Sequence, residues 1–367
     1  AMLAYPAEAG DGMGANGAEP VGGAPWLTLL PFASAEGWRP SPWHTAETFS
    51  EASRLTSDQG ARAVMLLSRD SAWLSRHALP SLSRSVLDQS LDLAMPHYLL
   101  GPYEGLLSNA ILYPLTRALY GCDIRYPLAG DLVLSAPFAE ALAVKAGPPG
   151  SWRDETIIWP ATEAVLGGYS LGQVHVGRRH ITQPEGYDVT SLLTRVVGGL
   201  FSDIEARASE WQLSRPVVGV REIGRDAVET APAEPTQPAD ARPMIESFRL
   251  AGSNLEDVWA QVMTPRTLLS VKRLAQVKGN KHAMPDVLWV RIVYDFLAAF
   301  RGRTVNRNHL LGALVPLYLG WAASHVLAVS ADGEDTAERR INALVSAFEA
   351  DKPYLVARWR WPDRFNP

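Results

Sequence analysis

Residues 61–135 alternate between apolar runs and helical patterns, and this alternation constrains the fold more than any other feature. Ala61 to Leu67, ARAVMLL, is a compact apolar run between polar residues and suits a buried parallel strand. Leu79 to Gln89 reads as a helix, and Leu91 to Met95 as a second strand that Pro96 ends. A loop with Gly101, Pro102 and Gly105 follows, then an amphipathic helix from Leu107 to Tyr120 closed by Gly121. The turn PLAGD leads into a third strand, LVLS. Strand–helix–strand order predicts parallel pairing within an α/β sheet. Tyr103, Glu104, Asn109, Arg117 and Asp131 have few local structural duties and gather at the element ends. α/β proteins keep their sites there.

The flanking sequence extends this pattern. Residues 1–25 are rich in Gly, Ala and Pro and read as a flexible lead. Trp26 to Phe32 is a first strand, and Thr45 opens a helix, with Thr48 short of an ideal capping box. Phe138 to Lys145 and Trp159 to Leu166 are short helices, the second stopped by Gly167-Gly168. Leu171 to Val176 is a strand feeding the basic loop Gly177-Arg-Arg-His180, and Thr190 to Leu213 is a helix. The predicted layout is an α/β domain over 26–223, a Pro-rich linker over 224–243 and a helical region over 244–367. In the last region, Asn254–Met263, Pro265–Val277, Pro285–Arg301, His309–Val329 and Asp335–Trp359 carry three-to-four-residue apolar spacing.

Composition narrows the function class. With 47% hydrophobic and 20% charged residues, the 367-residue chain has the make-up of a soluble globular protein. A net charge of −5 forces no basic face and does not favour bulk nucleic-acid binding. The single cysteine, Cys122, excludes an intrachain disulfide and suits a reducing compartment. There is no signal-peptide pattern, and Pro316, Gly320 and His325 interrupt the longest apolar run, Leu310 to Val329. The expectation is a cytoplasmic protein without a transmembrane segment. The twelve tryptophans suit a core, and the C-terminal helices suit either a homodimer interface or an intramolecular core.

Several residues can carry chemistry, each with a plainer alternative. Asp70, just past the 61–67 strand, either holds a divalent cation or caps a turn. Asp131, after Gly130, either binds hydroxyls and transfers protons or forms an Asx-turn. His180 is a metal-ligand candidate, and Arg178 and Arg179 can pair with phosphate; the alternative is a solvated basic loop. His175 faces the sheet or its covering helix. Glu163, with Asp154 and Glu155, is either an acid–base group or a helix-start acid. His309 and His325 fall on apolar helical faces. There is no P-loop, GxGxxG, HExxH, CxxC or GxSxG motif.

Three ordered motifs carry a resemblance: Tyr103 to Asn109, Tyr113 to Gly121 (YPLTRALYG), and Pro127 to Asp131 (PLAGD). They resemble the Y-D-G-T-x-T-N, Y-P-L-x-R-x-L-Y-G and P-I-G-G-D stretches of GT-A-type nucleotide-sugar glycosyltransferases. The nearest group is the mannosylglycerate and glucosylglycerate synthase-like enzymes. The likeness runs through Ile158-Trp159, GGYSLGQV and the C-terminal segments LWVRIVYDFLAAF, LLGALVPLYLGWAASHV and FEADKPYLVARWRW, covering roughly 61–361.

The resemblance implies a GT-A-like, Rossmann-related fold with a mostly parallel sheet and helices on both faces. It implies retaining transfer of a hexose from a nucleotide sugar to a small hydroxy-acid or polyol-type acceptor. By position, Asp70 and His180 would hold a divalent cation, Mg²⁺ or Mn²⁺. Asp70, Arg69, Arg178 and Arg179 would face the donor diphosphate. Tyr103, Asn109, Arg117, Gly130 and Asp131 would face the acceptor, with Asp131 catalytic. The chain departs from the pattern on the donor side. Ser68 and Arg69 replace the first two residues of the family's Asp-x-Asp motif, and Ile157 stands where relatives often carry an acid. The stretch before residue 61 is short by a strand–helix unit and lacks an Asp-Gly-Gly-Ser-like turn. A catalytically degenerate relative, acting as a binding, regulatory or oligomeric scaffold, is therefore the alternative expectation.

Overall fold

The computed structural model describes residues 2–6, 19–21, 24–32, 43–68, 78–147, 157–179, 188–213, 216–225, 239–277, 281–333 and 335–361. Arg69, Asp70, Asp154, Glu155, His180 and most of the Pro-rich stretch lie outside the described residues. The chain divides into two compact units, Ala1–Pro42 and Trp43–Pro367. The first holds a three-stranded sheet. β1 (Met2–Pro6) runs parallel to β3 (Ala24–Phe32), and β2 (Glu19–Val21) pairs antiparallel on the other side of β3.

The second unit opens with α1 (Ala46–Asp58), where the Thr48 hydroxyl accepts from the Thr45 amide at 3.3 Å. Its sheet is built from β4 (Ala63–Leu66), β5 (Leu93–Leu99), β6 (Leu132–Ser135), β7 (Leu171–Arg178) and β8 (Arg221–Ile223). The spatial order is β4-β6-β5-β7-β8. β5, β7 and β8 are parallel neighbours, while β6 runs antiparallel to both β4 and β5. The sheet is thus mixed rather than mostly parallel. β6 leads directly into α4 (Ala136–Ala146), whose N-terminus the Ser135 side chain caps.

β5 continues through Pro96 instead of ending there. The β5–β6 ladder stops at Ala94, so at Pro96 the β6 side carries no ladder bonds and a missing N–H costs nothing. α2 (Ala78–Leu87) packs across β4 to β7, and α1, α4 and α5 (Pro160–Gly167) form a second group on the strands.

The segment after β5 begins as a π-helical turn, Ser108–Leu112, and continues as α3 (Tyr113–Tyr120). Gly121 closes it with φ 70, and a Cβ there would lie 2.5 Å from the Pro216 carbonyl oxygen. Cys122 follows, fully buried, and burial pushes its thiol up to about 12.

α6 (Val189–Ala206) and α7 (Ala208–Trp211) lead to the C-terminal helices. These are α8 (Ala241–Asn254), α9 (Glu256–Val262), α10 (Pro265–Ala275), α11 (Asp286–Gly302), α12 (Arg307–Asp332) and α13 (Asp335–Arg360). α12 runs unbroken through Pro316, Gly320 and His325. An interior proline costs about 3 kcal/mol, which packing against α6, α8 and α13 outweighs. α12 is long and apolar enough to cross a bilayer, but 78% of its apolar window is buried inside the molecule. Trp159, Trp211, Trp259, Trp289 and Trp321 are among the largest fully buried side chains. One core runs through both the sheet and the C-terminal helices, and Trp289 on α11 donates to the Ala110 carbonyl of the π turn at 2.9 Å.

Candidate functional site

Strand direction brings four chain segments to one edge of the five-stranded sheet. β4, β5, β7 and β8 all run the same way, so Ser68, Tyr98, Arg178 and Arg179 lie at their C-terminal ends. β6 runs oppositely, so the residues before it, Gly130 and Asp131, start from that same edge. The antiparallel register pairs Leu66 with Leu132, and continuing it sets Ser68 opposite Gly130. A Cβ on Gly130 would lie 2.7 Å from Ser68 Cβ, so only glycine permits this approach.

Asp131 is 0% exposed. The Ser68 amide and hydroxyl donate to its Oδ1 at 2.7 and 3.0 Å. Its Oδ2 makes no hydrogen bond among the described residues and lies 3.7 Å from Arg179 Nη1. The Arg179 guanidinium sits over the Tyr98 ring, 4.8 Å from its centroid, and the Arg179 amide donates to the Leu99 carbonyl at 3.1 Å. Burial pushes the Tyr98 phenol well above its ordinary value, with the Asp131 charge adding to the shift. His44 supports the turn from below. Its Nε2 lies 2.8 Å from the Gly130 carbonyl oxygen, and burial lowers the imidazole to about 4. The ring is therefore neutral near pH 7, with Nε2–H donating to the carbonyl.

A second group of polar residues lies along the β5–β7 pair. His97 pairs in register with His175, their ring centroids 4.4 Å apart, and His175 Nε2 lies 2.5 Å from Glu222 Oε2. Gln173 donates to Glu222 Oε1 and to the Asp123 carbonyl, and accepts from the Arg125 amide at 2.7 Å. Burial lowers His97 to about 4, and the charges of His175, Arg125 and Arg225 add to that effect.

Ser68, Gly130, Asp131 and Arg179 are therefore brought together, with Arg178 adjacent in β7. The other acceptor-side candidates hold partners elsewhere. Tyr103 Oη contacts Ser330 Oγ of α12 at 3.1 Å, and Asn109 Nδ2 donates to the Glu104 carbonyl at 3.4 Å. Arg117 bridges Asp123 at 2.6 Å and Glu349 of α13 at 2.9 Å. Arg207 of the α6–α7 junction pairs with Glu163, leaving that acid a structural partner. His325 is fully buried, as its place on an apolar face predicts. His44, Tyr98, His97 and Arg125 escaped the sequence reading. Tyr98 and His97 were hidden because Pro96 looked like the end of the strand that positions them.

Among the described residues no three His, Cys, Asp or Glu side chains form a metal-ligand set. Ser68 donates its hydroxyl to Asp131 and so does not replace a missing carboxylate ligand. The free side of Asp131 faces a guanidinium. This donor set fits an anion or a hydroxyl better than a divalent cation. The chain matches no protein-family model, and no curated protein shows significant sequence similarity to it.

Proposed function

We propose that the chain is a GT-A-type, glycosyltransferase-like protein that binds a nucleotide sugar and a small hydroxylated acceptor at the Ser68–Asp131–Arg179 edge. The observation that carries this reading is a juxtaposition. The position of the resembling family's Asp-x-Asp motif, here starting at Ser68, meets the acceptor-side turn Gly130-Asp131. Arg179, just past the end of β7, meets the same carboxylate. In this reading Asp131 Oδ2 accepts a hydrogen bond from an acceptor hydroxyl and fixes its orientation. Arg178 and Arg179 pair with diphosphate oxygens and offset the charge that builds on the leaving group. In the resembling family a divalent cation supplies further charge neutralisation. Asp70 and His180, which stand at the positions of its ligands, lie outside the described residues.

A second reading has its own support. Ser68 spends both its donors on Asp131, and Arg179 already balances that carboxylate. A site satisfied within the protein suits a degenerate relative that keeps the fold as a scaffold. Thermal-shift titration with UDP- and GDP-sugars, with and without Mg²⁺ or Mn²⁺, separates the readings. Binding to the native state raises Tm by mass action. A saturable shift accompanied by hexosyl transfer supports the enzyme. A saturable shift without transfer supports the scaffold. No shift up to millimolar nucleotide sugar overturns donor binding altogether.

A further inference from the structure

α8 and α12 pack along each other, and a pocket of about 290 Å³ opens between the start of α8 and the last turns of α12. Ligand sites begin at roughly 300 Å³, so this one has room for a single small molecule. Its floor is apolar. Ala241 and Ile245 of α8 and Val326 of α12 are buried there, and Leu327 completes the surface. Tyr103, from the loop after β5, packs against the same cluster. Its Oη lies 3.1 Å from Ser330 Oγ, and Ser330 lines the pocket too. The residue that opens the first resembling motif thus borders this pocket, away from Asp131.

Two opposite charges form part of the wall. Asp240 and Arg242, two residues apart at the start of α8, both line the pocket. Arg242 Nε donates to Asp240 Oδ1 and Oδ2 at 3.0 and 3.1 Å, and Nη2 donates to Oδ2 at 2.7 Å. These bonds use Nε and Nη2, so the two Nη1 hydrogens are left for a second carboxylate. The bond from Arg242 holds the Asp240 carboxyl below its ordinary value, and both groups are charged at neutral pH. The carboxylate has lone pairs enough for a second donor.

An anion and a cation side by side, next to an apolar floor, select for a molecule built the same way. A ligand of one sign is attracted by one wall residue and repelled by the other. A neutral apolar ligand gains the floor alone. An α-amino acid carries its ammonium and its carboxylate on one carbon, with the side chain on that carbon too. Its ammonium can donate to Asp240 while Arg242 Nη1 donates to its carboxylate, and an apolar side chain then covers Ile245 and Val326. We propose that the pocket between α8 and α12 binds a free α-amino acid with a large apolar side chain. This assignment does not depend on the glycosyltransferase reading, and amino-acid binding and nucleotide-sugar binding are read by separate titrations.

The test is thermal-shift and calorimetric titration of the full chain with L-phenylalanine and L-leucine. Asp240 and Arg242 are 49% and 80% exposed, so water screens them and the expected Kd is about 0.1–1 mM. A saturable rise in Tm with either amino acid supports the site. L-phenylalaninamide, which lacks the carboxylate, and N-acetyl-L-phenylalanine, which lacks the ammonium, are each expected to bind about tenfold more weakly, the size of one charge-assisted hydrogen bond. Glycine, without a side chain to cover the floor, is expected to give no shift. Arg242→Gln should weaken L-phenylalanine and close its gap to the amide. Asp240→Asn, which keeps an N-cap oxygen for α8, should close the gap to the N-acetyl form. The proposal is overturned if neither amino acid shifts Tm up to about 10 mM. It is also overturned if either blocked form or glycine binds as tightly as L-phenylalanine, or if both variants bind it as the wild type does.

Discussion

Ser68 and Asp131 are 63 positions apart, yet the Ser68 amide and hydroxyl both donate to Asp131 Oδ1, at 2.7 and 3.0 Å. The β4–β6 register creates this contact, and the absent side chain of Gly130 permits it. The turn and the end of β4 therefore hold each other, and disturbing one should be felt at the other.

Gly130→Ala is the direct probe of that approach. The new methyl would meet Ser68 Cβ at 2.7 Å. The expected cost is about 1–3 kcal/mol of unfolding free energy, typical of overpacking. Adding Ser68→Gly removes the opposing carbon and recovers part of the loss. A double-mutant cycle by urea denaturation should give a clear coupling energy, and additive losses would mean the two positions do not touch.

Asp131→Asn keeps the shape of the side chain but removes the charge facing Arg179. The expected loss is about 1–3 kcal/mol, because a 12%-exposed guanidinium loses its carboxylate. If the chain proves to transfer sugar, the same variant should lower turnover by about 100-fold or more. Wild-type stability in Asp131→Asn would show that Arg179 is balanced by other groups.

Acid should withdraw the stability contributed by buried neutral histidines, while Asp203, raised by burial to about 7, works in the opposite direction over the same range. Burial lowers His44 and His97 to about 4, and it also lowers His282 and His325. Each folded-state value lies below the unfolded value near 6.5, so between pH 6.5 and about 4 the unfolded chain binds more protons. The histidine contribution is complete above pH 6.5 and is lost as the pH drops through that window, whereas protonation of Asp203 in the fold adds stability there. Urea midpoints at pH 7 and pH 5 measure the net change, and His44→Gln should reduce the slope by close to one proton. An unchanged slope in His44→Gln would refute the burial argument for that ring.

Asp295 on α11 anchors the helical region. It is fully buried and accepts from Tyr354 at 2.5 Å, Arg358 at 3.1 Å and the Thr264 amide at 3.1 Å. Removing one member of a buried ion pair leaves the other uncompensated. Asp295→Ala should therefore cost about 3–5 kcal/mol, read as a large fall in the denaturant midpoint.

Arg117→Ala tests a role assigned from sequence. Its guanidinium ties Asp123 to Glu349 and so joins α3 to α13. The variant should lose about 1–2 kcal/mol of stability and leave any nucleotide-sugar thermal shift unchanged. A lost shift at retained stability would instead return Arg117 to the binding surface.

Much of the layout was legible in the sequence. The apolar runs became β4, β6 and β7, Gly121 and Gly168 stopped their helices as left-handed caps, and the C-terminal periodicities became α9 to α13. Two features were hidden because they depend on partners distant in sequence. Pro96 looked like a terminator, and only the early end of the β6 ladder makes it harmless inside β5. The direction of β6 also cannot be read from LVLS, since parallel and antiparallel strands share that pattern. At the site, Asp131 stood out through its turn, whereas His44 lies 86 positions from the Gly130 carbonyl it supports and had no local signal.

The place of β6 also bears on how the chain is made. β4 and β5 emerge first, but they are never neighbours, because residues 132–135 must slot between them. Until then a nascent chain carries two open apolar edges with matching directions and no proper partner. Such edges invite pairing with each other or with another ribosome's product. Synthesis speed and chaperone access around residues 100–135 should therefore govern yield more strongly than the stability of the finished protein.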